Sequence, residues 1–144
     1  MFLGEYTHSL DSKSRLTIPA KYRDFVADGL VITRHPQGNC LMAMPMAQWK
    51  TEVGDQVSNL SKADPTSARF KRMIFASAED MTPDKQGRIL IPQRLREVAG
   101  IENDVVIAGI NTYFELWAPT EWRKNMEPLT DPVVVGEMFA ALDI

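Results

Sequence analysis

The chain writes one ten-residue phrase twice. Residues 10–19 read LDSKSRLTIP, and 73 residues later residues 83–92 read PDKQGRILIP. Asp11 corresponds to Asp84, Arg15 to Arg88, Ile18 to Ile91 and Pro19 to Pro92. The match continues beyond the phrase. AKYRDFVADG follows the first copy and QRLREVAG the second, each ending on a glycine that suits a helix terminus. Tyr22, Phe25 and Val26 fall on one helical face, as do Leu95, Val98 and Ala99, and Pro19 and Pro92 suit the first turn. Strand pairs come next: LVITR and CLMAM around HPQGN, then DVVIAG and YFELW around INT. Both copies close with a Pro and a Trp, Pro45 with Trp49 and Pro119 with Trp122.

Duplication at this size constrains the fold. One copy is too small to bury a convincing core, and its strand edges would stay unpaired. Two copies related by a pseudo-twofold axis solve both problems by interlocking. The expected organisation is a first repeat over 5–47, a helical connector over 48–75, a second repeat over 76–119 and a tail over 120–144. In the connector, MAQWKTEVGDQVSNL reads as a helix, SKADP breaks it, and Asp64 with Pro65 restarts another as N-cap and first helical residue. The tail carries Pro128, Pro132 and a short apolar segment that suits a helix.

The phrase itself combines a turn with a half-buried strand. Asp11 and Asp84 open the turns, where a carboxylate can accept backbone N–H bonds. Gly87 supplies positive φ at no steric cost, and Ser14 takes the same place in the first copy. Alternation then sends Leu16 and Ile18, and Ile89 and Ile91, toward a core, leaving Arg15, Thr17, Arg88 and Leu90 on the other side. Two readings of the Asp and Arg four apart stand together. The pair is an ion-paired pin for the turn, or the arginines, with Lys13 and Lys85, present donors to phosphates and base edges.

Composition narrows the alternatives. The net charge of −3 hides a partition. Residues 11–24 hold four cations against two acids, as do residues 84–97, whereas residues 125–144 hold four acids and no cation. Cys40 is the one cysteine, so no internal disulfide forms; with no signal-peptide pattern at the N-terminus, a reducing cytoplasmic setting is expected. No apolar run reaches the ~20 residues of a membrane span. Cys40 reads as a buried structural thiol and His35 as a turn residue; His8 and His35 show no metal-ligand spacing. The basic stretch with Arg69, Lys71 and Arg72 has two readings, the solvated face of a helix, which is the commoner, or an aid to nucleic-acid binding. With no P-loop, nucleophile elbow or zinc-protease motif, an enzyme is not expected, and neither a cofactor, a metal nor a small-molecule substrate is called for.

MFLGEYTHSLDSKSRLTIPAKYRD, DKQGRILIPQRLRE and FELWAPTEW resemble the MraZ family of bacterial transcriptional regulators, related to the AbrB/SpoVT superfamily; the likeness runs from Met1 to about Trp122. It implies an α+β fold: a swapped-hairpin AbrB-like β-barrel built from two tandem repeats in one chain, with flanking short helices. It also implies closed homo-oligomeric rings and sequence-specific binding of double-stranded DNA at direct repeats upstream of the division and cell wall gene cluster, in the nucleoid-associated cytoplasm. The family's D-x-x-x-R motif falls on Asp11 and Arg15 and on Asp84 and Arg88, with Ser14 where a glycine is usual; with Lys13 and Lys85 these form the expected DNA-binding set. A ring that holds protein partners, with the motifs as assembly pins, is the competing reading.

The apolar segment VVVGEMFAAL belongs to neither repeat, and CLMAMPM is rich in methionine. Both suit contacts between subunits. Light scattering at micromolar concentration is expected to give a particle several times the 16.2 kDa chain mass; a clean monomer contradicts the ring.

Overall fold

A computed structural model describes all 144 residues. Eight strands run in chain order as β1 (Glu5–Ser9), β2 (Arg15–Thr17), β3 (Leu30–Arg34), β4 (Leu41–Pro45), β5 (Glu79–Met81), β6 (Arg88–Leu90), β7 (Asp104–Gly109) and β8 (Phe114–Trp117). Six form one antiparallel sheet in the order β1-β7-β8-β4-β3-β5, while β2 and β6 form a separate two-stranded ribbon. Exchanging the two copies maps this order onto itself. β1 of the first copy pairs with β7 of the second, β5 of the second with β3 of the first, and β4 meets β8 in the middle. The repeats are therefore threaded through each other, and neither has a complete sheet of its own. The six-stranded sheet keeps two edges, β1 and β5.

The alternation read from the phrase is the packing seen. Leu16, Ile18, Ile89 and Ile91 are buried in one core with Phe2, Tyr22, Leu30, Ile32, Leu41, Leu95, Ile107, Phe114 and Leu116. Burying each such side chain contributes about 1.5–3 kcal/mol before chain entropy is charged. Phe2, Tyr22 and Phe114 meet edge-on or tilted at 5.0–5.3 Å between ring centroids. The Tyr22 hydroxyl escapes an unpaired burial by donating to the Leu3 carbonyl at 2.7 Å.

The helices after the two ribbon strands differ in part from the sequence reading. Helix α1 (Ala20–Arg23) gives way to a 3-10 turn over Asp24–Val26. The expected inner face therefore splits: Tyr22 and Val26 are buried but Phe25 is 49% exposed, and at the corresponding place Val98 is 39% exposed beside buried Leu95 and Ala99. The 3-10 turn breaks the 3.6-residue stripe in the first copy, whereas Val98 flanks a buried face narrowed to Leu95 and Ala99. Pro19 and Pro92 stand one position earlier than expected, as the residues preceding the helices, where their carbonyls accept from Tyr22 and Leu95.

The connector is helical as expected, with a π-helical turn over Trp49–Gly54 between α2 (Met46–Gln48) and α3 (Asp55–Ser58). Helix α4 (Pro65–Ser77) begins at Asp64, whose carboxylate accepts from the Ser67 N–H at 2.9 Å, with Pro65 just inside. It lies against β3, where buried Thr33 donates to the Ile74 carbonyl at 2.9 Å. Helix α5 (Gln93–Ala99) ends on Gly100 in the left-handed region. Helices α6 (Pro119–Met126) and α7 (Pro132–Ala141) follow, and α7 exposes Val133, Met138 and Phe139. No helix is long and apolar enough to cross a membrane.

Gly109 tests the interlock. A Cβ there would stand 2.6 Å from the backbone carbonyl of Phe2 and 2.6 Å from the Tyr22 hydroxyl, joining both copies at one point. Gly109→Ala is expected to lower unfolding free energy by about 2–3 kcal/mol in urea melts; an unchanged midpoint would contradict this packing.

Candidate nucleic-acid interface

The two turns are built alike to within a tenth of an ångström. Asp11 Oδ1 accepts from the Lys13 and Arg15 N–H groups at 2.9 Å, and its Oδ2 accepts from Arg15 Nε at 2.7 Å. Asp84 Oδ1 accepts from the Gln86 and Arg88 N–H groups at 2.9 Å, and its Oδ2 from Arg88 Nε at 2.8 Å. One carboxylate thus closes its own turn and holds the arginine by Nε. Ser14 (φ 62) and Gly87 (φ 75) supply the left-handed residue each turn requires. The backbone N–H groups of Arg15 and Arg88, with those of Lys13 and Gln86 and the guanidinium contacts, hold the Asp11 and Asp84 carboxyls below their ordinary pKa.

The ribbon puts these arginines side by side. Arg15 lies opposite Leu90 and Thr17 opposite Arg88, so all four project from the face away from the core. Arg88 reaches across toward the first turn, with Nη1 4.0 Å from Asp11 Oδ2. Partly exposed pairs of this kind add little stability; their effect is orientation. The Nη groups of Arg15 make no hydrogen bond within the chain, and its side chain is 30% exposed. Of the six residues expected at the site, Asp11, Arg15, Asp84 and Arg88 are brought together here. The Lys13 and Lys85 side chains are exposed in the two turns, without partners.

Two further arginines escaped the sequence reading. Arg23 Nε donates to the Ile18 carbonyl at 3.0 Å, and Arg96 Nε donates to the Ile91 carbonyl at 3.0 Å. Each ties its helix to the end of its ribbon strand. Arg23 also lies over Gly87, so close that a Cβ there would collide with Arg23 Nε. The first copy's helix thereby backs the second copy's turn. The repeat held the signal, since each arginine follows Arg15 or Arg88 by the same interval. His8 buttresses the ribbon too, donating from Nδ1 to the Thr17 carbonyl at 2.7 Å.

Elsewhere, Lys71 is occupied, donating to the Ser58 carbonyl at 2.8 Å, while Arg69 and Arg72 are exposed. His35, Cys40 and Glu115 meet, their ligand atoms within 4.8 Å of one another, although spacing showed no such set. His35 and Glu115 are linked by hydrogen bonds in which the Cys40 thiol takes no part. His35 Nδ1 accepts from the Gln37 N–H at 3.0 Å, which leaves the proton on Nε2 to donate to Glu115 Oε2 at 3.1 Å. Glu115 Oε1 accepts from Trp117 Nε1 at 3.1 Å. Cys40 is buried as expected, and burial pushes its thiol up to about 12.

Comparison with known proteins agrees with the duplicated architecture. The family described as MraZ protein, putative antitoxin-like, matches residues 1–73 and again 74–131. The chain belongs to the MraZ family. It is 50% identical over 129 residues to a protein of Roseiflexus sp. (strain RS-1), covering 90% of this chain and 89% of that one. It is 42% identical over 129 residues to one of Thermomicrobium roseum, covering 90% and 89%, and 34% identical over 144 residues to one of Clostridium acetobutylicum, covering the whole of both. All three bear the name transcriptional regulator MraZ. The boundary between the two MraZ matches falls inside α4, between the two turns, so each match carries one D-x-x-x-R turn.

The turns respond unequally to substitution. Gly87→Ala is expected to cost about 1–2 kcal/mol from the left-handed backbone alone, with displacement of Arg23 added. Ser14→Gly is expected to be neutral within about 0.5 kcal/mol, because relief of the same strain is offset by a freer unfolded chain. Equilibrium denaturation reads both. Because the folded-state pKa values of Asp11 and Asp84 are depressed, their contribution is present above the ordinary value of about 4 and lost as pH falls through the lower folded values. Asp11→Asn with Asp84→Asn should flatten that acid limb of the stability curve.

Proposed function

We propose that this protein is a transcriptional regulator that binds double-stranded DNA sequence-specifically through the β2–β6 ribbon. The observation that carries the reading is the pair of carboxylate-held arginines, Arg15 and Arg88, projecting from one face of a two-stranded ribbon. A ribbon of this width fits the major groove, and a guanidinium with free Nη donors matches guanine O6 and N7. Lys13, Lys85 and the turn carboxylates Asp11 and Asp84 complete the set: the lysines toward phosphates, the carboxylates as orienting groups. Relatives named as transcriptional regulators support the same conclusion.

We infer further that the threaded halves, repeats over 5–47 and 76–119 joined by 48–75, correspond to a swapped-hairpin AbrB-like barrel, an assignment supported by the cross-repeat strand pairing. The protomers act as a homo-oligomeric ring in the nucleoid-associated cytoplasm, without cofactor or catalytic activity. One protomer offers few phosphate contacts, each weak at physiological salt. A ring repeats the same basic edge, and linkage raises affinity without new contacts. Neighbours related by rotation suit direct repeats in the DNA, here those upstream of the division and cell wall gene cluster containing the protein's own gene.

Gel shift or anisotropy on the upstream DNA tests the reading. Arg15→Ala is expected to remove specific binding at about 1–3 kcal/mol per site touched, with melting temperature and particle mass unchanged. Arg88→Ala is expected to weaken binding in the same direction. Binding by the wild type should fall with salt at a log–log slope of about 0.9 per phosphate neutralised, several units in total. An Arg15→Ala protein that is folded and binds normally, or a flat salt response, contradicts the proposal.

A further inference from the structure

Leu90 is out of place for a soluble strand. It lies on the outer face of the ribbon, 54% exposed, and belongs neither to the core nor to the apolar side chains packed against it. A ribbon with one buried and one wet face ordinarily carries polar side chains outward. Its surroundings are specific. Arg15 is directly opposite, Arg88 is two residues earlier on the same face, and Thr17 occupies the remaining corner opposite Arg88. The face is thus a square with the two arginines on one diagonal and Thr17 and Leu90 on the other. Both arginines are held at Nε by Asp11 and Asp84, so the groups between them are held at a defined depth.

Resting on the DNA-binding reading above, we propose that Leu90 and Thr17 form an apolar reading position that contacts the 5-methyl group of thymine in the major groove. That methyl is the one apolar group on a major-groove base edge, and side-chain methyls recognise it by contact. The arginines on the other diagonal take guanine O6 and N7, so the ribbon selects thymine next to guanine. The two copies differ at this point and nowhere else on the square. Leu90 offers only methyl groups, whereas Thr17 offers one methyl and a hydroxyl that serves either donor or acceptor. The ribbon is therefore asymmetric despite its pseudo-twofold axis. It favours a site without internal dyad symmetry, which suits direct repeats.

The test uses the full-length protein and a duplex selected from a random pool by the wild type. Each thymine is replaced in turn by deoxyuridine, which removes only the methyl. Wild type is expected to lose about three- to ten-fold in affinity at each of two thymines per site, one met by Leu90 and one by Thr17, the scale of one buried methyl group each. Leu90→Ala is expected to lose a similar factor on the parent duplex and nothing further on one of those two deoxyuridine duplexes. Thr17→Ser is expected to give the same pattern at the other thymine, and Leu90→Ser to match Leu90→Ala. Melting temperature and particle mass should be unchanged in each variant. If specific binding is present but every deoxyuridine substitution is silent, or its loss simply adds to that of Leu90→Ala, the inference falls while the DNA-binding reading stands. A Leu90→Ala protein of lower particle mass would assign Leu90 to a subunit contact and overturn the inference. If the pool yields no preferred duplex, both fall.

Discussion

The structure depends on one pairing, that of β2 with β6. Each strand is only three residues long, and neither could persist alone. Together they expose one face carrying Arg15, Thr17, Arg88 and Leu90 and seal the core with Leu16 and Ile89, flanked by Ile18 and Ile91. Because the partners come from different copies, the ribbon exists only when the repeats are threaded. The same threading pairs β1 with β7 and β5 with β3. Core, sheet and candidate interface are thus coupled: disturbing one copy disturbs the other's contacts. Arg23, which belongs to the first copy and covers Gly87 of the second, shows the coupling at a single side chain.

The electrostatics follow from the turns. The overall negative chain is locally basic around the repeated phrase: residues 11–24 and 84–97 each hold four cations against two acids, whereas residues 125–144 hold four acids and no cation. Asp11 and Asp84 each accept two backbone N–H bonds and one guanidinium bond, so each carboxylate is tied to its own turn and to Nε of its arginine. A carboxylate this engaged removes much of the rotational freedom of the arginine. Preorganisation of that kind lowers the entropy lost on binding.

Much of this was legible in the sequence because duplication doubled the signal. Alternation in RLTI and RILI marked Leu16, Ile18, Ile89 and Ile91, and Gly87 announced the left-handed residue that Ser14 also adopts. The connector's Asp64–Pro65 start was readable from capping chemistry alone. The exposure of Phe25 was not, because a helical wheel assumes regular helix and the chain turns 3-10 over Asp24–Val26; nor was that of Val98, since α5 buries only Leu95 and Ala99. Nor could spacing bring His35 and Cys40 to Glu115. They meet because β4 pairs with β8, and strand alternation does not say which strands pair across copies. Arg23 and Arg96 were visible as repeated residues, but their bonds to the Ile18 and Ile91 carbonyls needed the folded joint between strand and helix.

The central claim is that the two turns and the ribbon between them are one DNA-contacting surface. Amide hydrogen exchange of the full-length protein, with and without the duplex from upstream of its own gene, tests it directly. The account predicts that bound DNA slows exchange in residues 11–18 and 84–91 together, by comparable factors. Protection confined to one turn, or placed instead on the helix over residues 65–77, would contradict it.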